Sequence, residues 1–365
     1  MIRKLVFAIL LSASLPLPAA TLVPIDVEPL EGADINQQFG TDPAKEYLPK
    51  EAVNSPLPPV YVVRTQDPDS KPLPCYQVAP DTYFFFGNIA EVDGYNRGFN
   101  GNAGFVVTQD GVLVVDALGT PALARRMIAS IRQVTRKPIR YLVITHAHPD
   151  HFYGASAFAT TPGLKVISHA GTEEYVYSST IERSVAYRKV FLPKEMQGFK
   201  AVVPDILIGG GNPAHISLRF GGKTFEIYDV GHHHSHGDLL MWQKEDRILW
   251  ISDLAFNGRV TYIGDGHLPE IDAMQDWMTK TFPNVALMIP GHGAPQTAPF
   301  DMVAKTRRYV DGLTDKIRAS LKEGESMQDA VAHADLPEFK DWPLYQLNHR
   351  INANFVYRTL EEDLF

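Results

Sequence analysis

Short apolar runs punctuated by turn residues dominate the middle of the chain. Tyr83–Phe86, Gly104–Thr108 and Val112–Asp116 read as strands, and Gly111 supplies the turn between the last two. A helix follows. Thr120 stands at its N-cap, Pro121 at its first position, and Leu123, Met127, Ile128 and Ile131 form one apolar face. The strand Ile139–Thr145 then runs into a cluster of histidines. Further strands are expected at Lys165–Ser168, Thr224–Val230, Leu239–Gln243, Ile248–Ser252 and Val285–Ile289, with helices at Thr172–Val190 and Ile271–Thr281. From Asp301 the period becomes helical through Met302, Thr306, Tyr309, Leu313, Ile317 and Leu321. Ile351, Phe355, Val356 and Leu360 mark a last amphipathic helix. Alternating strands, hairpins and helices imply sheets held between helical layers, an α/β class. No internal repeat is visible.

The two ends differ from this core. Residues 21–74 hold ten of the 27 prolines and little periodicity, so they read as an extended arm over the surface. Arg3 and Lys4 precede an apolar run from Leu5 to Leu15, which is short of the roughly 20 residues a spanning helix needs. Small residues follow at Ala19 and Ala20. This pattern predicts a signal peptide over 1–20, although Pro18 departs from the usual cleavage pattern. A retained anchor is the alternative. Export implies a periplasmic or secreted protein with no stable membrane insertion after cleavage. The expected layout is a signal peptide (1–20), a Pro-rich arm (21–74), a catalytic domain (75–300) and a C-terminal helical extension (301–365). The last helices are expected to pack on the catalytic domain, or to form a lid or an oligomer contact.

Composition narrows the partners. The 365 residues are 45% hydrophobic and 21% charged, which is ordinary for a globular protein. The 34 Lys and Arg against 42 Asp and Glu give a formal charge of −8, and no basic stripe is present. That argues against nucleic acid, whose phosphates need clustered cations. Cys75 is the only cysteine, so neither an internal disulfide nor a thiolate metal site can form. A buried free thiol is expected.

The chemistry lies at strand ends. His146-Ala147-His148-Pro149-Asp150-His151 follows an apolar strand. Side chains at i and i+2 on extended backbone point the same way, so His146 and His148 can grip one ion. Asp150 and His151 can then turn toward a second. Imidazole and carboxylate donors suit zinc. A second cluster, Gly231-His232-His233-His234-Ser235-His236-Gly237-Asp238, also follows a strand, and spacing alone does not choose among its four histidines. Asp253 closes the strand Ile248–Ser252, where a carboxylate can bridge two cations. Pro290-Gly291-His292-Gly293 closes another.

This set resembles the metallo-β-lactamase superfamily over about residues 80–295. His146, His148, Asp150 and His151 match its HxHxDH signature. His234-Ser235-His236-Gly237-Asp238 resembles its His-Ser/Thr-x-Gly-Asp segment, which selects His234. Ser252-Asp253-Leu254 resembles the bridging-aspartate segment, Pro290-Gly291-His292-Gly293 the last histidine motif, and Asp116 an early aspartate that supports the metal loop. The resemblance implies an αββα sandwich with a helical extension and two Zn²⁺ ions, iron or manganese being the alternatives. One ion would take His146, His148 and His234, the other Asp150, His151 and His292, with Asp253 between them. A metal-activated hydroxide would then cleave an ester, thioester, lactone, phosphoester, sulfoester or amide bond of a small molecule, with Asp150 also orienting the nucleophile. His232, His233 and His236 would stand behind the ligands.

Three other readings share these residues. Several β-lactamases carry Cys or Ser where this chain has Asp253, so β-lactam hydrolysis is one alternative rather than the first. An iron persulfide dioxygenase would use His146, His234 and Asp253 as a two-histidine, one-carboxylate site. A non-catalytic zinc-binding module is the third. The exported character, arm, helical tail and the closing Asn352–Glu362 segment are similar to the SoxH-like, quinoprotein-associated periplasmic branch. Tyr95, Phe99, Asn257, Arg259 and Tyr262 are the candidate substrate contacts.

Overall fold

The computed structural model of the chain describes residues 20–31, 68, 70–94, 96–282 and 284–362. Most of the expected signal peptide, the greater part of the Pro-rich arm and the candidate Tyr95 lie outside them. In chain order the first elements are β1 (Thr21–Pro24), β2 (Tyr76–Ala79), β3 (Thr82–Phe85), β4 (Ala103–Val107) and β5 (Val112–Val115). Helix α1 (Pro121–Val134), β6 (Ile139–Val143), the short α2 (Pro149–Phe152) and α3 (Ala155–Phe158), β7 (Lys165–His169), α4 (Ala170–Val176) and α5 (Ser179–Phe191) follow. Then come β8 (Lys200–Val203), β9 (Ile206–Ile208), β10 (His215–Phe220), β11 (Lys223–Asp229), β12 (Leu239–Gln243), β13 (Ile248–Ser252), α6 (Leu268–Thr281) and β14 (Leu287–Pro290). Helices α7 (Asp301–Lys322), α8 (Met327–His333) and α9 (Tyr345–Glu362) complete the described chain.

A seven-stranded sheet has the order β2-β3-β4-β5-β6-β7-β9, and a five-stranded sheet the order β10-β11-β12-β13-β14. The strands β5, β6, β7 and β9 run parallel, as do β13 and β14. Parallel neighbours need crossovers, and α1 and α6 provide two of them. The period of two then decides which residue faces what. Phe84, Phe86, Leu113 and Val115 pack between the sheets, while Phe85, Val112 and Val114 pack toward the outer helices. In the smaller sheet Ile248 and Trp250 face inward, and Leu249 and Ile251 join Met278 of α6 and Met302 of α7. Both faces of both sheets are covered. That is why the strands read as unbroken apolar runs, and the result is the expected αββα sandwich with C-terminal helices.

Some expectations need correction. The single helix Thr172–Val190 is two helices, because Ser178 stops α4 and caps α5, its hydroxyl accepting from Thr180 N–H at 3.2 Å. The strand expected over Val285–Ile289 sits at Leu287–Pro290. Strands β1, β2, β8 and β9 have four residues or fewer, too few for a period to register. Strand β10, with Ile216, Leu218 and Phe220 alternating, was legible and is an addition. Cys75 is free but only partly buried, and that burial still pushes its thiol up.

The C-terminal helices share a core with the loop after Asp253. Val260, Ile263 and Ile271 pack with Tyr309, Leu313, Tyr345 and Val356. Asn352 accepts from Ile263 N–H at 3.0 Å and donates to Thr261 C=O at 2.8 Å, and Asn348 donates to Val260 C=O at 3.1 Å. Helix α9 therefore holds that loop by its backbone. Asn352→Ala strands a buried amide and a buried carbonyl, so unfolding in denaturant should show a loss of about 1–3 kcal/mol. An unchanged midpoint would mean the loop is held elsewhere. Among the described residues no helix is long and apolar enough to cross a membrane.

Candidate metal centre

Loops that follow strands, and the short helix α2 with Asp150 and His151, bring the expected ligands to one place. His146, His148, His234 and Asp253 bring one donor atom each within 4.8 Å of one another, and so do Asp150, His151 and His292. Asp253 lies between the two groups. Its Oδ2 is 3.1 Å from His234 Nε2 and 3.3 Å from His292 Nε2, and its Oδ1 is 3.4 Å from His151 Nε2. Asp150 Oδ2 stands 3.4 Å from His292 Nε2. The backbone turns sharply to achieve this. Asp116 and Ser252 sit at φ of 58° and 46°, a left-handed conformation that costs a non-glycine residue about 1–2 kcal/mol.

Each imidazole is aimed from behind. His151 Nδ1 donates to Asp116 Oδ2 at 3.0 Å, and His148 Nε2 to Asp265 Oδ2 at 3.1 Å. His234 Nδ1 donates to Tyr262 C=O at 2.8 Å, and His292 Nδ1 to Asn100 C=O at 2.7 Å. Carboxylates and carbonyls can only accept, so each of these rings keeps a proton on its outer nitrogen, and the neutral form, which a bound cation would favour, presents its lone pair from the inner one. His146 Nδ1 faces Thr145 Oγ1 at 3.1 Å, and Thr145 itself donates to Asp116.

The inner nitrogens crowd one another: His148 Nδ1 lies 2.8 Å from His234 Nε2, and His151 Nε2 3.5 Å from His292 Nε2. His146 Nε2 and Asp253 Oδ1 are buried with no hydrogen-bond partner, a cost of about 1–3 kcal/mol each that a cation would remove. Burial opposes charge on His151, but Asp253, Asp150 and Asp116 outweigh it and hold the imidazole up at about 10. Burial likewise opposes charge on His234, which the Asp253 carboxylate raises. Burial, with Arg259 next, lowers His292. Burial raises Asp253 and Asp150, yet the surrounding imidazoles carry both well below the usual carboxylate range. The donor set fits divalent metal: nitrogen and oxygen donors, no sulfur, with the Asp253 carboxylate near both groups.

Gly291 is required for this closeness. A Cβ there would lie 1.8 Å from Asp253 Oδ1 and 3.0 Å from the His151 ring. Gly291→Ala must push the carboxylate aside, an overpacking cost of about 1–3 kcal/mol. We expect it to lower bound metal per chain, read by elemental analysis after dialysis. Full occupancy would show that the loop yields without moving Asp253.

Other candidates fall out differently. His232 and His236 are exposed and meet each other edge-on at 6.3 Å, so they occupy the surface rather than a supporting shell. His233 is buried with neither ring nitrogen bonded, and burial holds it neutral at about 4. Phe99 is core, buried with Phe85 and Phe105, and does not line the cleft. Asn257 donates to Ala294 C=O at 2.7 Å and takes His292 C=O on its own N–H, so it buttresses the histidine loop instead of meeting substrate. Arg259 and Tyr262 do line the cleft.

The cleft over the metal ligands holds about 320 Å³. Sequence reading missed several of its residues. Asn100 donates to Asp150 Oδ2 at 3.1 Å while its carbonyl holds His292, and it stands next to the candidate Phe99. Asp265 follows Tyr262 closely and carried no signal of its own. Leu347, Asn348 and Ile351 come from α9 and form a wall of the cleft.

Residues 96–292, over half of the chain, match the metallo-beta-lactamase superfamily. A metallo-beta-lactamase type 2 from Bacillus sp. (strain 170) is 25% identical over 203 residues, covering 53% of this chain and 69% of that one. A linear primary-alkylsulfatase from Pseudomonas sp. (strain ATCC 19151) is 36% identical over 56 residues, 15% of this chain and 11% of the other. The solved sec-alkylsulfatase Pisa1 from Pseudomonas sp. superposes with a TM-score of 0.61 at 17% identity, over 78% of this chain. The chain spans 50% of that structure's length, and 64% of a Bacillus cereus metallo-beta-lactamase type 2. Fold and site together define a metal-dependent hydrolase. The chain belongs to the metallo-beta-lactamase superfamily.

Proposed function

We propose that the chain is an exported dinuclear zinc hydrolase that cleaves an ester-type bond of a small molecule. The carrying observation is Asp253, placed between two groups of three further donors with its oxygens 3.1–3.4 Å from His234, His151 and His292. Two Zn²⁺ ions held there would lower the pKa of water toward about 7 and polarise the scissile group. The chain's own residues do the rest. Asp150, steadied by Asn100 Nδ2, offers a carboxylate oxygen facing the cleft, where it can orient the attacking oxygen. Arg259 and Tyr262 border the substrate space. The apolar run at Leu5–Leu15 supports export, to the periplasm or beyond.

An iron dioxygenase built on His146, His234 and Asp253 would leave Asp150, His151 and His292 without a role, which disfavours it. The relatives bear the names of β-lactam and alkyl sulfate hydrolases, so both bonds belong in the test. Protein lacking residues 1–20 should carry about two zinc per chain by elemental analysis. Ester, thioester, lactone, phosphodiester, sulfate-ester and β-lactam substrates should then show turnover for one bond class, lost on chelation. One iron per chain with oxygen uptake on persulfide, and no hydrolysis, would overturn the proposal.

A further inference from the structure

Arg259 is only 6% exposed, yet its Nε and Nη1 are buried without a hydrogen-bond partner. A buried guanidinium without acceptors is costly, and its planar fork matches an oxyanion. The side chain is fixed in place. Its Cζ lies 5.2 Å over the Phe256 ring, and Phe256 stacks on the His292 imidazole at 5.2 Å with planes 9° apart. The cation is thus one ring removed from a metal ligand, and it lines the same cleft. Glu91, which lines the same cleft, is near enough for its carboxylate to feel the Arg259 charge, but its Oε1 accepts from the Val92 amide at 2.9 Å and leaves Arg259 Nε and Nη1 without a hydrogen bond; the cleft's other arginine, Arg188, donates to Gly119 C=O at 3.1 Å. The same cleft is lined by apolar Val92, Leu347 and Ile351, the last 38% exposed, beside polar Tyr187, Asn348 and Asp265.

We propose that the substrate is an amphiphilic anion, whose sulfate-, phosphate- or carboxylate-type group is received by Arg259 while its hydrocarbon part lies on Val92, Leu347 and Ile351. This rests on the hydrolase reading and names its substrate class.

Alkylsulfonates test the proposal, since they carry the anion and the chain but no bond for hydrolysis. Methane-, butane- and octanesulfonate, with 1-octanol as the neutral control, are titrated into the zinc-loaded protein by calorimetry. Affinity should rise up to about threefold per methylene that leaves water. Arg259→Gln should weaken octanesulfonate about 10–100-fold, the worth of charge-assisted hydrogen bonds, and leave 1-octanol nearly unchanged. Ile351→Asp, at an exposed rim position that tolerates polarity, should also weaken octanesulfonate. Octanesulfonate binding no tighter than methanesulfonate would overturn the proposal. So would an Arg259→Gln protein with wild-type melting and metal content that still binds octanesulfonate fully. If Arg259→Gln does not fold, Ile351→Asp decides: undiminished affinity overturns the idea. Repeating the titration on chelated protein separates the two readings, because zinc content is measured independently of sulfonate binding.

Discussion

Asp253→Ala should leave a folded protein with one metal ion or fewer per chain and with kcat/KM lower by 10³-fold or more, about 4 kcal/mol of transition-state stabilisation. Among the described residues, the Asp253 carboxylate reaches into both ligand sets, 3.1 Å from His234 and 3.4 Å from His151. Without it two divalent cations would face each other across the same short distance with one negative charge fewer between them. The sandwich core does not depend on it, since Asp253 follows β13 and its side chain points into the donor cluster. Far-ultraviolet circular dichroism should therefore match the parent while metal analysis does not. A variant that kept two ions and full turnover would show that Asp253 braces the loop and does not bridge.

The second large effect is expected at Asp116. Its carboxylate accepts from Thr145 N–H at 2.8 Å, from the Thr145 hydroxyl at 3.0 Å and from His151 Nδ1 at 3.0 Å. Burial pushes this carboxyl up, and the His151 charge and the donors work against that. Asp116→Ala strands a buried imidazole and a buried amide at once, so unfolding should cost about 3–5 kcal/mol less. Metal affinity should fall about 10–100-fold, as when an orienting partner of a ligand is removed. Asp116→Asn separates the two effects. The amide keeps the shape and still accepts from Thr145, but its NH₂ meets the His151 N–H donor to donor. Relief requires the other tautomer, which places the proton on the nitrogen facing the metals. Stability should recover in that variant while metal affinity stays low. If both recover, Asp116 acts by volume alone.

The candidate ligands His146, Asp253 and His292 were legible because each stands just past an apolar strand, where a turn begins. His146 follows β6 and Asp253 follows β13, and neither position needs knowledge of the partner strand. His234 was not legible from spacing, since His232, His233 and His236 sit equally close, and the resemblance had to select it. The reason appears in three dimensions. Asp238 Oδ2 takes the His234 and Ser235 amides at 2.7 and 2.9 Å, which turns His234 inward and leaves its neighbours at 232 and 236 outside. The walls of the cleft were least legible. Asn352 meets the loop at Thr261–Ile263, but nothing in a one-dimensional pattern records a contact between segments some 90 residues apart. Local rules also misplaced Phe99, whose aromatic character suits a substrate contact and a core equally.

The way the imidazoles are held has an evolutionary consequence. His148 and His151 lean on the side chains of Asp265 and Asp116, whereas His234 and His292 lean on the main-chain carbonyls of Tyr262 and Asn100. A point substitution can delete a carboxylate but cannot delete a carbonyl. Each ion would therefore have at least one ligand whose support drifts with single codon changes and one whose support is inherited with the loop itself. Descendants of this sequence can retune the strength of either site in small steps at positions 116 and 265, while the aim of His234 and His292 changes only when a whole segment is rebuilt.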